Sequence, residues 1–241
     1  MRFLIIGGTT FIGPCVVRHL TEAGHRITVF NRGQSVAALL PGVAAIKGDR
    51  TRLSDFGADF RRLAPEVVID MIPHAEAEAQ AVMRTFRDIA RRVVAVSSMD
   101  VYRAYGCFTR IEAGTPATEP LAEDAPLRTQ LYPYRAQARS EDDFLYHYDK
   151  IPVERAVMND DRLPGTVLRL PKVYGPREPQ RRLREYVRRM ADGRPAILLE
   201  EAQAQWRWTR GYVENVAAAI ALAAIDERAA GRIYNIGEAE R

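Results

Sequence analysis

The sequence predicts an α/β fold built on a doubly wound parallel sheet, and three observations support this class. First, the four residues Phe3–Ile6 near the N-terminus are apolar, and glycines and a helical pattern follow them at once. Second, short apolar runs recur along the 241 residues, at 27–30, 44–47, 67–71, 93–96, 165–170 and 232–237, with helical patterns between most of them. Third, the first run is continuously apolar, which is typical of a parallel strand buried on both faces.

The first strand leads into the turn Gly7-Gly8-Thr9-Thr10-Phe11-Ile12-Gly13, after which a helix starts with Pro14 in its first turn. Glycines let a backbone approach a pyrophosphate, and the N-terminus of a helix offers free N–H groups and the positive end of its dipole. A tight turn that binds nothing is the alternative. The spacing to the helix and to the second strand favours a dinucleotide site. Its candidate contacts are Gly7, Thr9, Thr10, Phe11, Ile12 and Gly13.

The ends of the second and third strands predict the choice of cofactor. In an NAD site an acidic residue after the second strand accepts hydrogen bonds from the ribose. Asn31 holds that position here and Arg32 follows it. An amide beside a guanidinium suits a 2′-phosphate better, so we predict NADP in preference to NAD. A solvated arginine in a turn is the alternative, and Asp49 is a candidate for the adenine edge or else a turn or cap residue.

The remaining segments predict the rest of the fold. Apolar residues at helical spacing indicate a helix over residues 76–92, and Ser98 closes the strand that follows. Prolines interrupt residues 99–134, a loop of a length that is usually functional or mobile. Helical character returns over residues 136–158, where Pro152 is expected to cause a kink. A helix over residues 180–192, a short strand over 196–199 and an apolar helix over 213–225 precede the last strand.

Composition limits the classes of function. The net charge is +4 and the isoelectric point is near 9.2, with acidic residues interspersed. This is too mild for a dedicated nucleic-acid binder, although it suits an anionic ligand. Two cysteines and four histidines predict neither a disulfide framework nor a metal site. We expect no signal peptide and no membrane span, and the cytoplasm is the expected location.

A tyrosine, a lysine and a serine predict the chemistry. Tyr146 and Lys150 are four residues apart on the predicted helix, so we expect them to share a face. The ammonium of Lys150 would lower the pKa of Tyr146 from its reference value of about 10, and Ser98 would bind the same substrate oxygen. Tyr148, two residues from Lys150, is expected to point elsewhere. A tyrosine–lysine pair alone is usually a surface pair, but here it follows the glycine turn and Ser98.

Together these motifs resemble the extended short-chain dehydrogenase/reductase family, which includes sugar-nucleotide epimerases and dehydratases. The matching segments are the glycine turn and residues 97–102, 146–154, 168–176 and 212–217. The resemblance covers nearly the whole chain. It implies a Rossmann-type domain over residues 1–170, with residues 211–237 packing back on it, and a small, incomplete substrate lobe over residues 171–210.

The resemblance also implies site residues and ligands. These are Ser98, Tyr146 and Lys150 as the catalytic triad, Pro171 beside the nicotinamide, and Arg207 or Arg210 facing a substrate phosphate. The implied cofactor is NADP or NAD, and the implied substrate is a nucleotide sugar or a similar hydroxylated small molecule. A homodimer formed through two helices per subunit is a further expectation.

Four departures from the family pattern bear on function. Thr10 replaces the middle glycine, as in an atypical branch that includes RNA-associated chloroplast stem-loop-binding proteins. Met99 and Asp100 stand where dehydratases carry an Asp-Glu pair, which disfavours elimination of water and favours an epimerase or simple reductase. The proline-rich loop before Tyr146 is longer than usual. Family members continue well beyond the last strand, so part of the substrate lobe is expected to be absent and the chain could be a fragment.

Three functions are therefore compared. The leading hypothesis is an NAD(P)-dependent oxidoreductase of the epimerase type, acting by hydride transfer. An RNA-binding protein is the second, favoured by Thr10, the basic isoelectric point and the run Arg181-Arg182-Leu183-Arg184. That run is more often a solvated helix face, and few aromatic residues lie beside it for base stacking. The third is an NADP sensor whose output is a change of conformation.

Overall fold

A seven-stranded parallel sheet forms the centre of the computed structural model, which describes residues 1–34, 39–117 and 119–238. The strands of the described residues are β1 (Arg2–Ile6), β2 (Arg26–Asn31), β3 (Ala44–Lys47), β4 (Val67–Asp70), β5 (Arg92–Ser98), β6 (Gly165–Leu170), β7 (Lys172–Tyr174), β8 (Arg210–Tyr212) and β9 (Arg232–Asn235). The order in the main sheet is β3-β2-β1-β4-β5-β6-β9, and β7 pairs with β8 in a separate parallel ribbon. The order in which strands are added to the sheet reverses between β1 and β4. The carboxyl ends of these two strands therefore flank the crevice where such folds bind ligands.

Helices cover both faces of the sheet. They are α1 (Ile12–Glu22), α2 (Gly57–Leu63), α3 (Glu76–Phe86), α4 (Arg103–Phe108), α5 (Phe144–His147), α6 (Lys150–Met158), α7 (Arg184–Ala191), α8 (Glu201–Gln205) and α9 (Val213–Ile225). One core packs α1 and α9 against the sheet, and the other packs α3 and α6 against its opposite face. The predicted α/β Rossmann-type fold is confirmed.

The strand β1 shows why the apolar runs are continuous. Phe3 and Ile5 lie in the core under α1 and α9, whereas Leu4 and Ile6 lie in the core under α3 and α6. Successive side chains of a strand point to opposite faces, so a strand covered on both faces needs apolar residues at every position. All four side chains are at most 1% exposed. Among the described residues no helix combines the length and the apolar character needed to cross a bilayer.

Three predictions of secondary structure are wrong. Residues 136–158 form two helices, α5 and α6, instead of one kinked helix, and Asp149 caps the second by accepting a hydrogen bond from the Ile151 N–H. Pro152 falls in the first turn of α6, where its missing N–H has no intrahelical partner to lose and no kink follows. Residues 196–199 form no strand. The helix predicted over residues 76–92 ends at Phe86. A turn follows it, and β5 begins at Arg92.

Candidate active site

The glycine turn between β1 and α1 is shaped for close approach of a ligand to the backbone. Gly7 has a φ of 85°, a conformation that favours glycine, and a Cβ on Gly13 would lie 2.6 Å from the carbonyl carbon of Gly8. Thr10 is exposed, so its side chain does not fill the turn. No side chain caps the N-terminus of α1, whose N-cap residue is Phe11. The turn therefore fits the pyrophosphate of a dinucleotide.

The residues predicted to bind the adenosine end lie at neighbouring strand ends. Asn31 ends β2, and its side-chain oxygen accepts the Gly33 N–H at 2.6 Å. Arg32 is exposed beyond it. Asp49 follows β3, and its carboxylate accepts hydrogen bonds from the N–H and the hydroxyl of Thr51, both at 2.9 Å. These bonds, with Arg32 nearby, lower the pKa of Asp49. Asp49 thus caps the short helical segment that begins at Arg50, which is the alternative role that the sequence predicts for it.

A cleft of about 420 Å³ lies beyond the carboxyl ends of β5 and β6. The residues that line it include Ser98, Asp100, Tyr105, Tyr134, Phe144, Tyr148, Pro171, Lys172, Arg182 and Trp208. Ser98 is the last residue of β5, and Pro171 directly follows β6. This cleft contains the predicted serine and the proline predicted to lie beside the nicotinamide, and we refer to it as the reaction cleft.

The expected shared helix face of Tyr146 and Lys150 is wrong, and so is the expectation that Tyr148 points away. Tyr146 lies in α5, whereas Lys150 begins α6. The Tyr146 hydroxyl bonds to the exposed Glu141 at 3.1 Å, outside the reaction cleft. The Tyr148 hydroxyl enters the cleft, where it donates to Asp100 Oδ2 at 3.1 Å and lies near enough to the Ser98 hydroxyl for Ser98 to lower its pKa. The break between the helices changes the direction of the side chains, so the four-residue spacing no longer places them together.

Lys150 lies at the base of this site with its ammonium group held by the backbone. Its Nζ donates to the carbonyl oxygens of Pro73 at 2.7 Å and Val96 at 3.1 Å, and it lies 5.7 Å from the centre of the Tyr148 ring. Burial lowers the pKa of Lys150 to about 8. A cation therefore lies beside the tyrosine ring as the sequence predicts, but the tyrosine is Tyr148.

His74 packs beside the Tyr148 ring. Its ring centre is 5.9 Å from those of Tyr148 and Phe144. Burial, with the positive charges of Lys150 and Arg50, lowers the pKa of His74 to about 3. The ring is therefore neutral at physiological pH, and it packs against Tyr148 and Phe144 as an uncharged group.

A fully buried ion pair holds the loop that carries these groups. Arg128 donates to Asp149 Oδ1 at 3.0 Å, and both side chains are 0% exposed. The second carboxylate oxygen of Asp149 accepts the Tyr132 N–H at 2.7 Å. Because Asp149 lies between Tyr148 and Lys150, the pair joins residues 128–132 to the start of α6.

Sequence reasoning missed Tyr148, Asp100, Tyr134 and Arg128 as site residues. A signal for the first was present, because Asp149 is a favoured N-cap residue and Pro152 is tolerated in a first turn. Together they predict a helix that starts at Lys150, with Tyr148 outside it. Asp100 follows the predicted Ser98 by two residues at the end of β5, but no local pattern indicates Tyr134 or Arg128, whose bonds to Asp100 and Asp149 are long-range.

The predicted substrate arginines lie on and near the segment that separates two clefts. Arg207 lines a second cleft of about 690 Å³, and Tyr105 and Trp208 line both clefts. Arg210 begins β8, paired in register with Lys172 of β7. The ammonium of Lys172 lies 4.1 Å from the centre of the Trp208 ring. Burial and the charges of Arg210 and Arg182 lower the pKa of Lys172.

Comparison with known proteins shows the family of this chain. The model of the NAD dependent epimerase/dehydratase family matches residues 3–237, and the chain belongs to this family. It is 30% identical over 243 residues to 2′-dehydrokanamycin reductase of Streptomyces kanamyceticus, covering 98% of this chain and 61% of that protein. It is 27% identical over 252 residues to 2-alkyl-3-oxoalkanoate reductase of Stenotrophomonas maltophilia, covering 100% of this chain and 71% of that protein. The chain thus spans about three fifths of the length of the first of these relatives.

Three further similarities are partial in coverage or lower in sequence identity. The chloroplast stem-loop binding protein of 41 kDa b of Arabidopsis thaliana is 29% identical over 114 residues, covering 42% of this chain and 30% of that protein. Among solved structures, Bordetella bronchiseptica WbmG in complex with NAD and UDP superposes with a TM-score of 0.69 at 20% identity, covering 98% of this chain and 72% of that one. UDP-glucose 4-epimerase of Thermotoga maritima with UDP-glucose gives 0.71 at 18% identity, covering 98% and 77%. At these identities the structures establish a common fold.

Proposed function

We propose that this protein is an NADP-dependent oxidoreductase that reduces a ketone on a hydroxylated small molecule, with Tyr148 as the proton donor. The observation that carries this proposal is the hydrogen bond from the Tyr148 hydroxyl to the buried carboxyl of Asp100. Burial raises the pKa of Tyr148 well above its ordinary value, and the hydrogen bond to the Asp100 carboxyl group raises it further. A tyrosine that keeps its proton at neutral pH serves as a general acid, which the reduction of a ketone requires. The names of the two curated relatives, both reductases, support the same direction.

The other residues of the reaction cleft have complementary roles in this proposal. Ser98, which lines the same cleft as Tyr148, binds the substrate oxygen next to it. Lys150 contributes a positive charge beside the Tyr148 ring. A dinucleotide held by the glycine turn, with its 2′-phosphate at Arg32, would supply the hydride. Pro171 would border its nicotinamide, because it lines the reaction cleft.

The proposed substrate carries an anionic group such as the phosphate of a nucleotide sugar. Lys172 and Arg182 line the reaction cleft, and the charge of Arg210 lies close enough to Lys172 to lower its pKa. An anion there would relieve repulsion among these like charges. Arg207, in the second cleft, would offer a further phosphate contact. The UDP and UDP-glucose found in the related structures support this substrate class.

Oxidation of NADPH in the presence of ketones tests the proposal. The panel is a UDP-linked 4-keto sugar, a keto amino sugar and a 3-oxo ester. Tyr148→Phe is expected to lower kcat by roughly 100-fold or more, because it removes the proton donor. Tyr146→Phe is the matched comparison, and the opposite ranking of the two variants would assign the chemistry to Tyr146. NADPH binding without reduction of any ketone in the panel would instead favour the sensor.

The preference for NADP rests on Arg32 and is tested by binding. Calorimetric titration is expected to give tighter binding of NADPH than of NADH. Arg32→Ala should weaken NADPH binding by roughly 10–100-fold and leave NADH binding unchanged, since a charge-assisted contact to the 2′-phosphate is lost. Arg62→Ala is the control, because Arg62 is an exposed arginine on α2 that pairs with Asp59. Equal losses for NADPH and NADH in Arg32→Ala would contradict the proposed contact.

A further inference from the structure

Asp100 and three tyrosines form one connected chain of hydrogen bonds in the reaction cleft. The hydroxyls of Tyr148 and Tyr134 both donate to the same oxygen, Asp100 Oδ2, at 3.1 and 3.2 Å. The Tyr134 hydroxyl is 2.9 Å from that of Tyr105, which also lines the second cleft. We call this set the carboxyl–phenol chain. It runs from the proposed proton donor, Tyr148, through a buried carboxyl to the far side of the reaction cleft.

The surroundings of Asp100 favour a neutral carboxyl group. Asp100 is 5% exposed, and its Oδ1 has no hydrogen-bond partner among the described residues. Both nearby cations are engaged elsewhere. Arg128 bonds to Asp149 and to the carbonyl oxygens of Asp100 and Gln130, while Lys150 bonds to two other carbonyl oxygens. Burial raises the pKa of Asp100, and this effect outweighs the charges of the two cations and the hydrogen bonds from Tyr148 and Tyr134, all of which favour the ionised form.

Tyr148 needs a source of protons if it acts as a general acid. Its O–H bond breaks as the O–H bond of the product alcohol forms, which leaves a phenolate beside Asp100 Oδ2 and the Ser98 hydroxyl. A carboxylic acid is a far stronger acid than a serine hydroxyl. Asp100 is therefore the hydrogen-bonded neighbour that is able to return the proton.

We propose that Asp100 is the proton donor that restores Tyr148 after each reductive turnover, with Tyr134 and Tyr105 linking it to water in the second cleft. This inference rests on the proposed function and acts through Tyr148, not on the substrate directly. The Asp100 O–H bond breaks as the Tyr148 O–H bond forms. The carboxylate regains a proton through Tyr134 and Tyr105, each hydroxyl giving its proton as it receives one. One proton from water is consumed for each ketone reduced.

Asp100→Asn tests the relay by rapid mixing, with the panel ketone that the wild type reduces fastest. The amide is isosteric and still bonds to the tyrosines, but it has no acidic proton to give. We expect a first turnover of one NADPH per site at the wild-type rate, followed by a steady state roughly 100-fold slower with KM unchanged. Tyr134→Phe interrupts the same chain one step further away and should also lower kcat without changing KM. Asp192→Asn, on the exposed end of α7, is the control.

A purely structural role for Asp100 gives a different result, because it lowers the amplitude or the rate of the first turnover. Wild-type steady-state rates in Asp100→Asn would overturn the relay. Infrared spectroscopy supplies a second measurement that needs no turnover. The wild-type minus Asp100→Asn difference spectrum at pH 7 should contain the carbonyl band of a protonated carboxyl group. A carboxylate band in its place would overturn the inference even in an active reductase, whereas failure of the wild type to reduce any ketone would count against the proposed function.

Discussion

Asp149→Asn tests whether the buried ion pair with Arg128 holds the reaction cleft together. The remaining hydrogen bonds of the Arg128 guanidinium go to two carbonyl oxygens, so the variant leaves a buried cation without its paired counter-charge. Removing one partner of such a pair costs about 3–5 kcal/mol. The asparagine oxygen still caps α6, so loss of the cap adds little. For a chain of this length each kcal/mol lowers Tm by about 2–4 °C, which predicts a fall of roughly 6–20 °C.

Urea unfolding followed by circular dichroism and scanning calorimetry measures this cost. Arg128→Met and the double variant complete the cycle, and the double variant is expected to be less destabilised than the sum of the singles. Asp55→Asn breaks an exposed pair with Arg52 and should cost about 1 kcal/mol or less. A cost below about 1 kcal/mol for Asp149→Asn, or strict additivity in the cycle, would refute the reasoning.

Two further predictions concern the glycine turn and the neutral His74 ring. Gly13→Ala should abolish NADPH binding in a titration, because its Cβ would meet the backbone of Gly8. Gly57→Ala, at a φ of −56° and with only the Arg61 guanidinium within 4 Å, should bind normally, and equal binding by the two variants would contradict the close packing. The folded-state pKa of His74, about 3, lies below its unfolded value of about 6.5, so stability should fall as pH decreases from 6.5 towards 3, by about 1.4 kcal/mol per pH unit from this group. His74→Phe keeps the ring packing and should remove that slope from urea unfolding measured between pH 6.5 and 4.5, and an unchanged slope would argue against a buried neutral histidine.

Much of the fold could be predicted from sequence because its signals are local. A strand such as β1 is buried on both faces and therefore reads as an unbroken apolar run. The helix α9 was predicted with its observed bounds, Val213–Ile225. Boundaries failed where a capping residue outweighed helical character, as at Asp149, where the predicted single helix divides into α5 and α6.

The candidate site was predictable only in part. Ser98 ends the predicted strand β5, and Lys150 lies in a segment that was predicted to be helical. The structure brings both residues close to Tyr148. The tyrosine was misassigned because a spacing of four residues indicates a shared face only within one continuous helix. Asp100 could be noted as a departure from the dehydratase pattern, but its bonds to two tyrosines depend on a loop that no periodicity describes.

The sequence by itself determined the seven strands of the main sheet, the glycine turn and the family, because each depends on residues that are close together in the chain. Only the tertiary structure decided which hydroxyl enters the reaction cleft. The buried pair of Arg128 and Asp149 joins residues 21 positions apart and holds the break before α6, and so it directs Tyr148 inward. Such long-range electrostatic contacts form only when the chain is packed, and no local pattern of residues encodes them.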